Sequence, residues 1–375
     1  MTLKRVAIVG GGASGLFLAR LLSQKRRLKV TVFEKNAQTA AKLRASGGGR
    51  ANIFNRIITP EDYNNADFAK ALLSTVSPEK LDEQFRKFGL VTVYDSENRV
   101  YPATQFSQTV VDVLSTFDNN NVDIHTGTPV TSLSQKEGGA WIVNGNHGEI
   151  FDTLVLATGS PANLLPKFQS DYNKHLAPLH LKATALKPSL AGFLLENIPK
   201  SLSGCRTKAI VSLTQDNHLI HKEKGEVIFK DEGISGIVVM NLSSYYRRLK
   251  STENCRLSIN LTHWDENFDV NRHLTLYGSL TGIIHPKLES LYRKKPFDIQ
   301  DFAFKIRDTY PTDSAQVCSG GINVGEIDRN FLSKKHKNLY ILGEMLDIDG
   351  LCGGYNLFFA FASAMVAGNH ILKSL

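Results

Sequence analysis

Three glycines in the stretch Val6-Ala7-Ile8-Val9-Gly10-Gly11-Gly12-Ala13-Ser14-Gly15 stand at the spacing Gly-x-Gly-x-x-Gly, and Glu34 closes the apolar run Val30-Thr31-Val32-Phe33 that follows. Residues of these types in this order are expected to bind a dinucleotide, the alternative being a structural βαβ turn with no ligand. Gly10 permits a tight turn, Gly12 lets the backbone approach a pyrophosphate with no Cβ in the way, and Gly15 lets a helix pack closely on a strand. A helix starting at Ala13 and Ser14 offers unpaired N–H groups and a partial positive charge to phosphates. Glu34, with Lys35 beside it, falls where a carboxylate accepts hydrogen bonds from a ribose. Val6 to Val9 supplies the strand such a turn needs and Leu16 to Leu22 the helix, so a βαβ unit is expected.

Other glycine clusters recur along the chain. Ser46-Gly47-Gly48-Gly49-Arg50-Ala51-Asn52 lies among Lys42, Arg44 and Arg50. Three consecutive glycines do not sustain a helix or strand interior, so a loop is expected, its backbone close to the anionic half of a dinucleotide or the edge of its ring system. Further on, Val130 to Leu133 and Trp141 to Val143, with turns at Gly138-Gly139 and Asn144-Gly145, predict a β-meander. It returns through Thr153-Leu154-Val155-Leu156 to Ala157-Thr158-Gly159, a second sign of a flavin-type fold. Near the end, Asn338 to Leu342 predicts a strand running into Gly343-Glu344. Gly353-Gly354-Tyr355-Asn356-Leu357 then opens a hydrophobic helix reaching Leu372, expected to aim a second helix N-terminus at the cofactor.

Several classes of function are disfavoured. No apolar run reaches the roughly 18 residues of a membrane span, so no membrane association is expected. Lys4-Arg5 before an apolar run superficially resembles a signal peptide, but the glycine turn interrupts the run and Lys25-Arg26-Arg27 ends it, which fits fold better than address. The four cysteines, Cys205, Cys255, Cys318 and Cys352, form no Cys-x-x-Cys pair and point to a reducing, cytoplasmic setting. His175, His180, His218, His221 and His263 lack metal-like spacing, Asp347 and Asp349 fail the calcium-loop pattern after Gly350, and no Gly-x-Ser-x-Gly elbow supports a hydrolase. The formal charge of +8 leaves two readings open: an anionic partner or an ordinary basic surface.

With 375 residues and 42% hydrophobic content, the chain is long enough for two or three structural units. Capping signals at Thr59-Pro60-Glu61-Asp62 and Ser77-Pro78-Glu79 predict a helical region over about 60 to 88. Arg99 to Pro102 closes a short strand pair, Gln108 to Phe117 has helical spacing, and Val122 to His125 is a short strand. From about 175 the texture changes to alternating strands, including 208–213, 226–229 and 256–261. Gly233-Ile234-Ser235-Gly236 is expected as a loop, and His285 through Ile306 as helical. The expected organisation is a split domain, 1–184 with 312–375, interrupted by a mostly β domain over 185–311 that carries a helical piece near 285–308. Lys287, Arg293, Lys294, Lys295 and Lys305 form either a solvated face or a polyanion contact.

Taken together, the first turn, the Ser46 to Asn55 loop, the Ala157-Thr158-Gly159 strand end, the Gly225 to Gly236 and Val317 to Ile322 segments, and Gly343 to Asn356 resemble the BaiN/RdsA (YhiN-like) family of FAD-binding flavoproteins. The similarity runs over nearly the whole chain in the same order. It implies an α/β fold, a Rossmann-like FAD domain of glutathione-reductase type interrupted by a barrel-like β domain with a small helical subdomain. It also implies a flavin-dependent reduction, and some members reduce a uridine of ribosomal RNA; reduction of a small unsaturated metabolite and non-catalytic FAD binding stand as the alternatives. With no second Gly-x-Gly-x-x-Gly unit in the insertion, NADH or NADPH is expected to act as a transient donor docking on the flavin face. FAD is then expected against Gly10, Gly12, Ala13, Ser14 and Gly15, with Glu34 and Lys35 at the adenosine ribose. Lys42, Ser46, Gly48, Gly49, Arg50 and Asn52 belong to the same expected site, with Val130 and Ala157, Thr158, Gly159 behind them. Gly343 and Glu344 are expected near the ribityl or pyrophosphate, and Gly353, Gly354, Tyr355, Asn356 and Leu357 at the flavin ring. The chain departs from the family in carrying Ala51 where Gly-Gly-Gly-Arg-Cys-Asn is usual. Cys318, Cys352 and Tyr355 remain as candidates for a catalytic group, and a small packed cysteine is the alternative reading of each thiol.

Overall fold

The computed structural model describes residues 3–144, 149–162 and 179–374. Gly145 of the expected turn and His175 lie outside the described residues. The chain divides into two compact units, Met1–Leu186 with Cys318–Leu375, and Lys187–Val317.

The first unit is built on a parallel sheet. Its strands are β1 (Lys4–Val9), β2 (Leu28–Phe33), β3 (Val122–His125), β4 (Thr153–Leu156) and β5 (Leu339–Ile341), in the order β5-β4-β1-β2-β3. Ala7, Ile8, Val30, Val32, Leu154 and Val155 are fully buried, so the central strands are covered on both faces, as parallel strands require. Helix α1 (Ala13–Leu22) leads from β1 to β2, whereas β4 lies on the other side of β1. The strand order therefore reverses at β1, and the carboxyl edge beside it is where open α/β sheets bind ligands.

Helix α2 (Tyr355–Lys373) packs on α1. Gly368 lets it come close, since a Cβ there would lie 2.6 Å from Leu21 Cδ2. Phe361 meets Phe85 edge-on at 5.0 Å and Phe17 at 5.5 Å, joining α2 to the helix Pro78–Lys87. That helix and Ala66–Thr75 make up most of the helical region expected over 60 to 88. Ser77 caps the later one by accepting from the Lys80 N–H. The expected meander is present, but its first strand is Leu133–Gln135 rather than Val130 to Leu133, followed by Trp141–Val143 and Ile150–Phe151.

The second unit is a closed six-stranded antiparallel barrel of Phe193–Leu195, Gly233–Ser235, His218–Lys230, Arg206–Gln215, Cys255–Asn260 and Phe302–Thr309. Helices Ile237–Arg248, Val270–Tyr277 and Pro286–Lys294 accompany it. Two expectations are corrected here. Gly233–Ser235 is a barrel strand rather than a loop, because a Cβ at Gly233 would lie 1.8 Å from the Phe193 carbonyl oxygen and only glycine allows that pairing. The helical reading of 285 to 306 holds for Pro286–Lys294 only. Phe302, Phe304 and Ile306 are buried at alternate positions of a strand and fill the barrel.

Candidate dinucleotide site

Four chain segments leave the carboxyl edge of the parallel sheet side by side. Backbone hydrogen bonds fix their exits: Gly10 N–H to the Phe33 carbonyl at 2.8 Å, Ala157 N–H to Val9 at 2.8 Å, and Leu342 N–H to Leu156 at 2.9 Å. The glycine turn, Glu34, Ala157-Thr158-Gly159 and Gly343-Glu344 are thus brought to one place, although up to 334 positions separate them in the sequence.

The three glycines of the turn have different physical duties. A Cβ at Gly15 would lie 2.0 Å from the Gly10 carbonyl oxygen, and one at Gly10, with φ +108°, 2.4 Å from that of Ala157. These two are demanded by packing. A Cβ at Gly12 would meet nothing within 4 Å, so its space is open, on the side where a pyrophosphate is expected. No side chain caps α1, which leaves its N-terminus for an anion. Ser14 is buried beside Gly343, where a Cβ would come 3.1 Å from Ser14 Oγ.

Glu34 organises the turn as well as facing it. Its Oε2 accepts from the Gly11 N–H at 2.8 Å, and its Oε1 accepts from the Asn36 backbone N–H at 2.8 Å and side chain at 2.6 Å. Lys35 follows it, half-buried, and Val130 is buried in the core of the same unit.

Lys42 is placed differently from a simple phosphate ligand. It extends from the short helix Ala41–Ala45 and donates to Glu344 Oε2 at 2.9 Å, to the Ser160 carbonyl at 2.9 Å and to Ser160 Oγ at 3.3 Å. An ammonium has three N–H bonds, and all three are spent inside the protein. Two buried polar atoms at this edge, Thr158 Oγ1 and Glu344 Oε1, have no partner among the described residues. Unsatisfied buried oxygens beside an open, uncapped helix N-terminus fit the hydroxyl-rich and anionic middle of FAD.

The Ser46–Gly49 segment is a short 3-10 turn with Gly47, Gly48 and Gly49 at φ +58°, +65° and +86°. Ser46 Oγ donates to the Leu43 carbonyl, and Arg50 lies over the Tyr101 ring at 5.0 Å. Gly48 and Gly49 face open space. Ala51 is completely buried with φ +57°, so its side-chain position is packed interior. Asn52, in the amide orientation that satisfies both neighbours, donates to the Phe54 carbonyl at 3.1 Å and accepts from the Gly354 N–H at 3.2 Å. This stitches the glycine loop to the start of α2.

At that start, Gly353 and Gly354 take φ of +128° and +102°. Asn356 is committed to its own loop, accepting from the Gly350 N–H at 2.8 Å and donating to the Gly350 carbonyl at 2.9 Å. Tyr63 donates to the Tyr355 carbonyl at 2.8 Å, and its burial pushes the phenol well above its ordinary pKa. Leu357 packs against the core. Of the candidate catalytic groups, Cys318 is buried and its thiol is pushed up to about 11, chiefly by desolvation and then by the Glu344 charge, so it is neutral. Cys352 is half-buried in the loop before α2, and Tyr355 opens the helix.

Sequence reasoning missed Ser160, Ser363 and Asn64. Ser160 holds Lys42, Ser363 Oγ accepts from the Gly343 N–H at 3.1 Å, and Asn64 braces Asp347 and the Asp349 N–H at 3.1 Å each. Ser160 and Ser363 are lone small polar residues whose buried positions alone reveal their use, whereas Asn64 is half-buried in a polar stretch where nothing local sets it apart. Among the described residues no group of three or more side chains is arranged to hold a metal, and no helix is long and apolar enough to cross a membrane.

A parallel Rossmann sheet with this turn at its switch point, in a chain that also carries an antiparallel barrel, defines the class: the protein is an FAD-dependent oxidoreductase. More narrowly, the profile of the HI0933-like protein Rossmann domain matches residues 4–370, and the chain belongs to that family. It is 28% identical to the 3-dehydro-bile acid delta(4,6)-reductase of Clostridium scindens, over 98% of each chain. It is 24% identical to the ribosomal RNA dihydrouridine synthase of Escherichia coli, again over 98% of each. Among solved structures, the 3-ketosteroid delta1-dehydrogenase of Sterolibacterium denitrificans is similar over 99% of each chain, with a TM-score of 0.49 and 13% identity.

Proposed function

We propose that the protein is a reductase that uses NADH or NADPH to saturate a carbon–carbon double bond conjugated to a carbonyl, and that its substrate is a uridine of ribosomal RNA. The observation that carries the cofactor part is the convergence of the Gly10 turn, Thr158 and Glu344 at one sheet edge, with two buried oxygens left for a ligand. The chemistry FAD supplies when bound is hydride transfer between a nicotinamide and an unsaturated acceptor. The chain's residues bind and orient. Gly12 and the α1 N-terminus would hold the pyrophosphate, Glu34 would take the adenosine ribose, Thr158 and Glu344 would take hydroxyls, and the α2 N-terminus would favour negative charge on the ring.

Two things support the donor and substrate. The second unit is an antiparallel barrel with no glycine turn of the dinucleotide type, so a nicotinamide docks transiently rather than in a fold of its own. The relatives are named for a bile acid and an RNA uridine, unlike molecules whose reductions share one chemistry, addition of hydride and a proton across a polarised double bond. The positive charge favours the polyanion. Cys205, Cys255 and Cys318 are buried free thiols, which suits the cytoplasm. A second reading, reduction of a small unsaturated metabolite, is favoured by Ala51, which removes the family's usual thiol.

Comparing the dihydrouridine content of ribosomal RNA in a deletion strain and its parent tests the proposal. Loss of one dihydrouridine is expected. Unchanged content overturns the RNA substrate in favour of the small-molecule reading.

A further inference from the structure

The barrel unit carries a surface that the cofactor site does not use. Along the strand His218–Lys230, Lys222 and Lys224 alternate with inward residues and share one outer face. Lys208 joins them from the neighbouring strand, where Lys208 pairs with Glu226, Ile210 with Lys224 and Ser212 with Lys222. The residues between, Ala209, Val211 and Leu213, are buried in the barrel core. Glu226 is engaged by Arg206 at 3.5 Å and Glu266 by Lys222 at 3.4 Å. Lys208 and Lys224 have no ion-pair partner among the described residues. Their charge reaches His263, whose pKa is lowered by burial first and then by Lys224 and Lys208, against a hydrogen bond to Leu261.

Next to His263 stands Trp264, 47% exposed. Its loop is firmly braced. Gln300 Nε2 donates to Thr262 Oγ1 at 3.2 Å and to the Phe268 carbonyl at 3.0 Å, the Asp265 N–H bonds to the Thr262 carbonyl at 3.0 Å, and Asp265 Oδ1 accepts from the Asn267 N–H at 3.0 Å. Asp265 is thereby occupied inside the loop. His263 and Phe268 flank the indole, with centroids at 5.1 and 6.2 Å. A large aromatic ring held half in water by a pre-ordered loop, which Glu266 ties at 3.4 Å to Lys222 on the lysine-bearing strand, matches a stacking platform with a basic track, because stacking then costs little side-chain entropy.

We propose that this outer barrel face docks an unpaired stretch of RNA, one base stacking on Trp264 while neighbouring phosphates meet Lys208, Lys222 and Lys224. The inference rests on the ribosomal RNA reading above and adds where the polynucleotide is held.

The test is fluorescence anisotropy of the FAD-loaded full chain with a short labelled single-stranded oligoribonucleotide, across a salt series. Trp264→Ala is expected to weaken binding roughly tenfold while leaving the salt dependence unchanged, and Trp264→Phe to keep most of the affinity. The double variant Lys208→Ala/Lys224→Ala is expected to flatten the log–log salt slope by about 1.4, from roughly 0.7 per lost phosphate contact. Retained flavin shows that each variant is folded. Wild-type affinity and slope in both Trp264→Ala and the lysine variant overturn the surface, as does a wild-type chain that does not bind the oligonucleotide. The failures are separable: dihydrouridine lost in the deletion strain with unaffected binding by the variants removes this surface and leaves the substrate reading intact.

Discussion

Lys42 and Glu344 are 302 residues apart in sequence and 2.9 Å apart in the fold. Their ion pair ties the short helix after β2 to the loop after β5, and Ser160 at the exit of β4 takes the two remaining ammonium hydrogens. Three separate strand exits are thus latched by one side chain. Both partners are largely shielded, with side-chain exposures of 31% and 19%. Lys42 holds Glu344 in place through Oε2, while Glu344 Oε1 is buried with no partner among the described residues.

Removing only the lysine is therefore worse than removing the pair. Lys42→Met leaves a half-buried carboxylate with no counter-charge and is expected to cost about 1–3 kcal/mol, less than a fully buried pair because water still reaches it. Lys42→Met/Glu344→Gln is expected to regain much of that loss. Urea unfolding of both variants checks this, and equal stability of the two contradicts it.

The glycines of the first turn separate packing from binding. Gly15→Ala forces a methyl to 2.0 Å from the Gly10 carbonyl and is expected to prevent stable folding of the sheet edge. At Gly12 the backbone φ of −82° suits alanine and the space is open. Gly12→Ala is expected to fold with an unchanged apoprotein melting temperature and to bind FAD at least tenfold more weakly. Thermal melts of apoprotein paired with FAD titrations distinguish the two.

Thiol reactivity should follow burial. Cys205, Cys255 and Cys318 are buried with raised pKa values, that of Cys318 reaching about 11, whereas Cys352 is half-buried. Native alkylation near pH 8 is expected to label Cys352 first, with all four cysteines labelled after denaturation. Cys318→Ala is expected to leave flavin reduction by NADH or NADPH unchanged. A fast-reacting Cys318 in peptide mapping contradicts the placement.

In the barrel, Glu223 is pushed up to about 7 by desolvation, opposed by the Asn241 side chain, and His221 at 3.5 Å is lowered by burial. Both shifts favour neutral forms, so the contact near neutral pH is a hydrogen-bonding neighbourhood more than an ion pair. A carboxyl with a raised folded-state pKa binds its proton more tightly when folded, so stability falls as pH rises from about 4.5 to about 7 and levels off above. Glu223→Gln is expected to match the wild type below pH 4.5 and exceed it by roughly 2–3 kcal/mol at pH 8. A pH-independent difference contradicts this.

The βαβ turn was legible because its duties are local: a strand, three glycines at fixed offsets and an acid announce themselves within thirty residues. The same holds for the Ala157-Thr158-Gly159 and Gly343-Glu344 exits, which end apolar runs. What convergence does to them was not legible. That Lys42 spends itself on Ser160 and Glu344, or that Asn52 pins Gly354, depends on pairings across hundreds of residues. Gly233–Ser235 misled because glycine signals a turn locally, while here it permits close strand approach. Phe302 to Ile306 shows a period of two, but the helical stretch before it drew that strand into the wrong class.

The central claim is that both ends of the chain build one FAD site at the carboxyl edge of the parallel sheet. Its most direct test is the visible absorption spectrum of the purified protein, before and after refolding with FAD. A flavin spectrum near one FAD per chain, lost in Gly12→Ala, is predicted. A colourless protein that stays colourless after refolding with FAD would contradict the account.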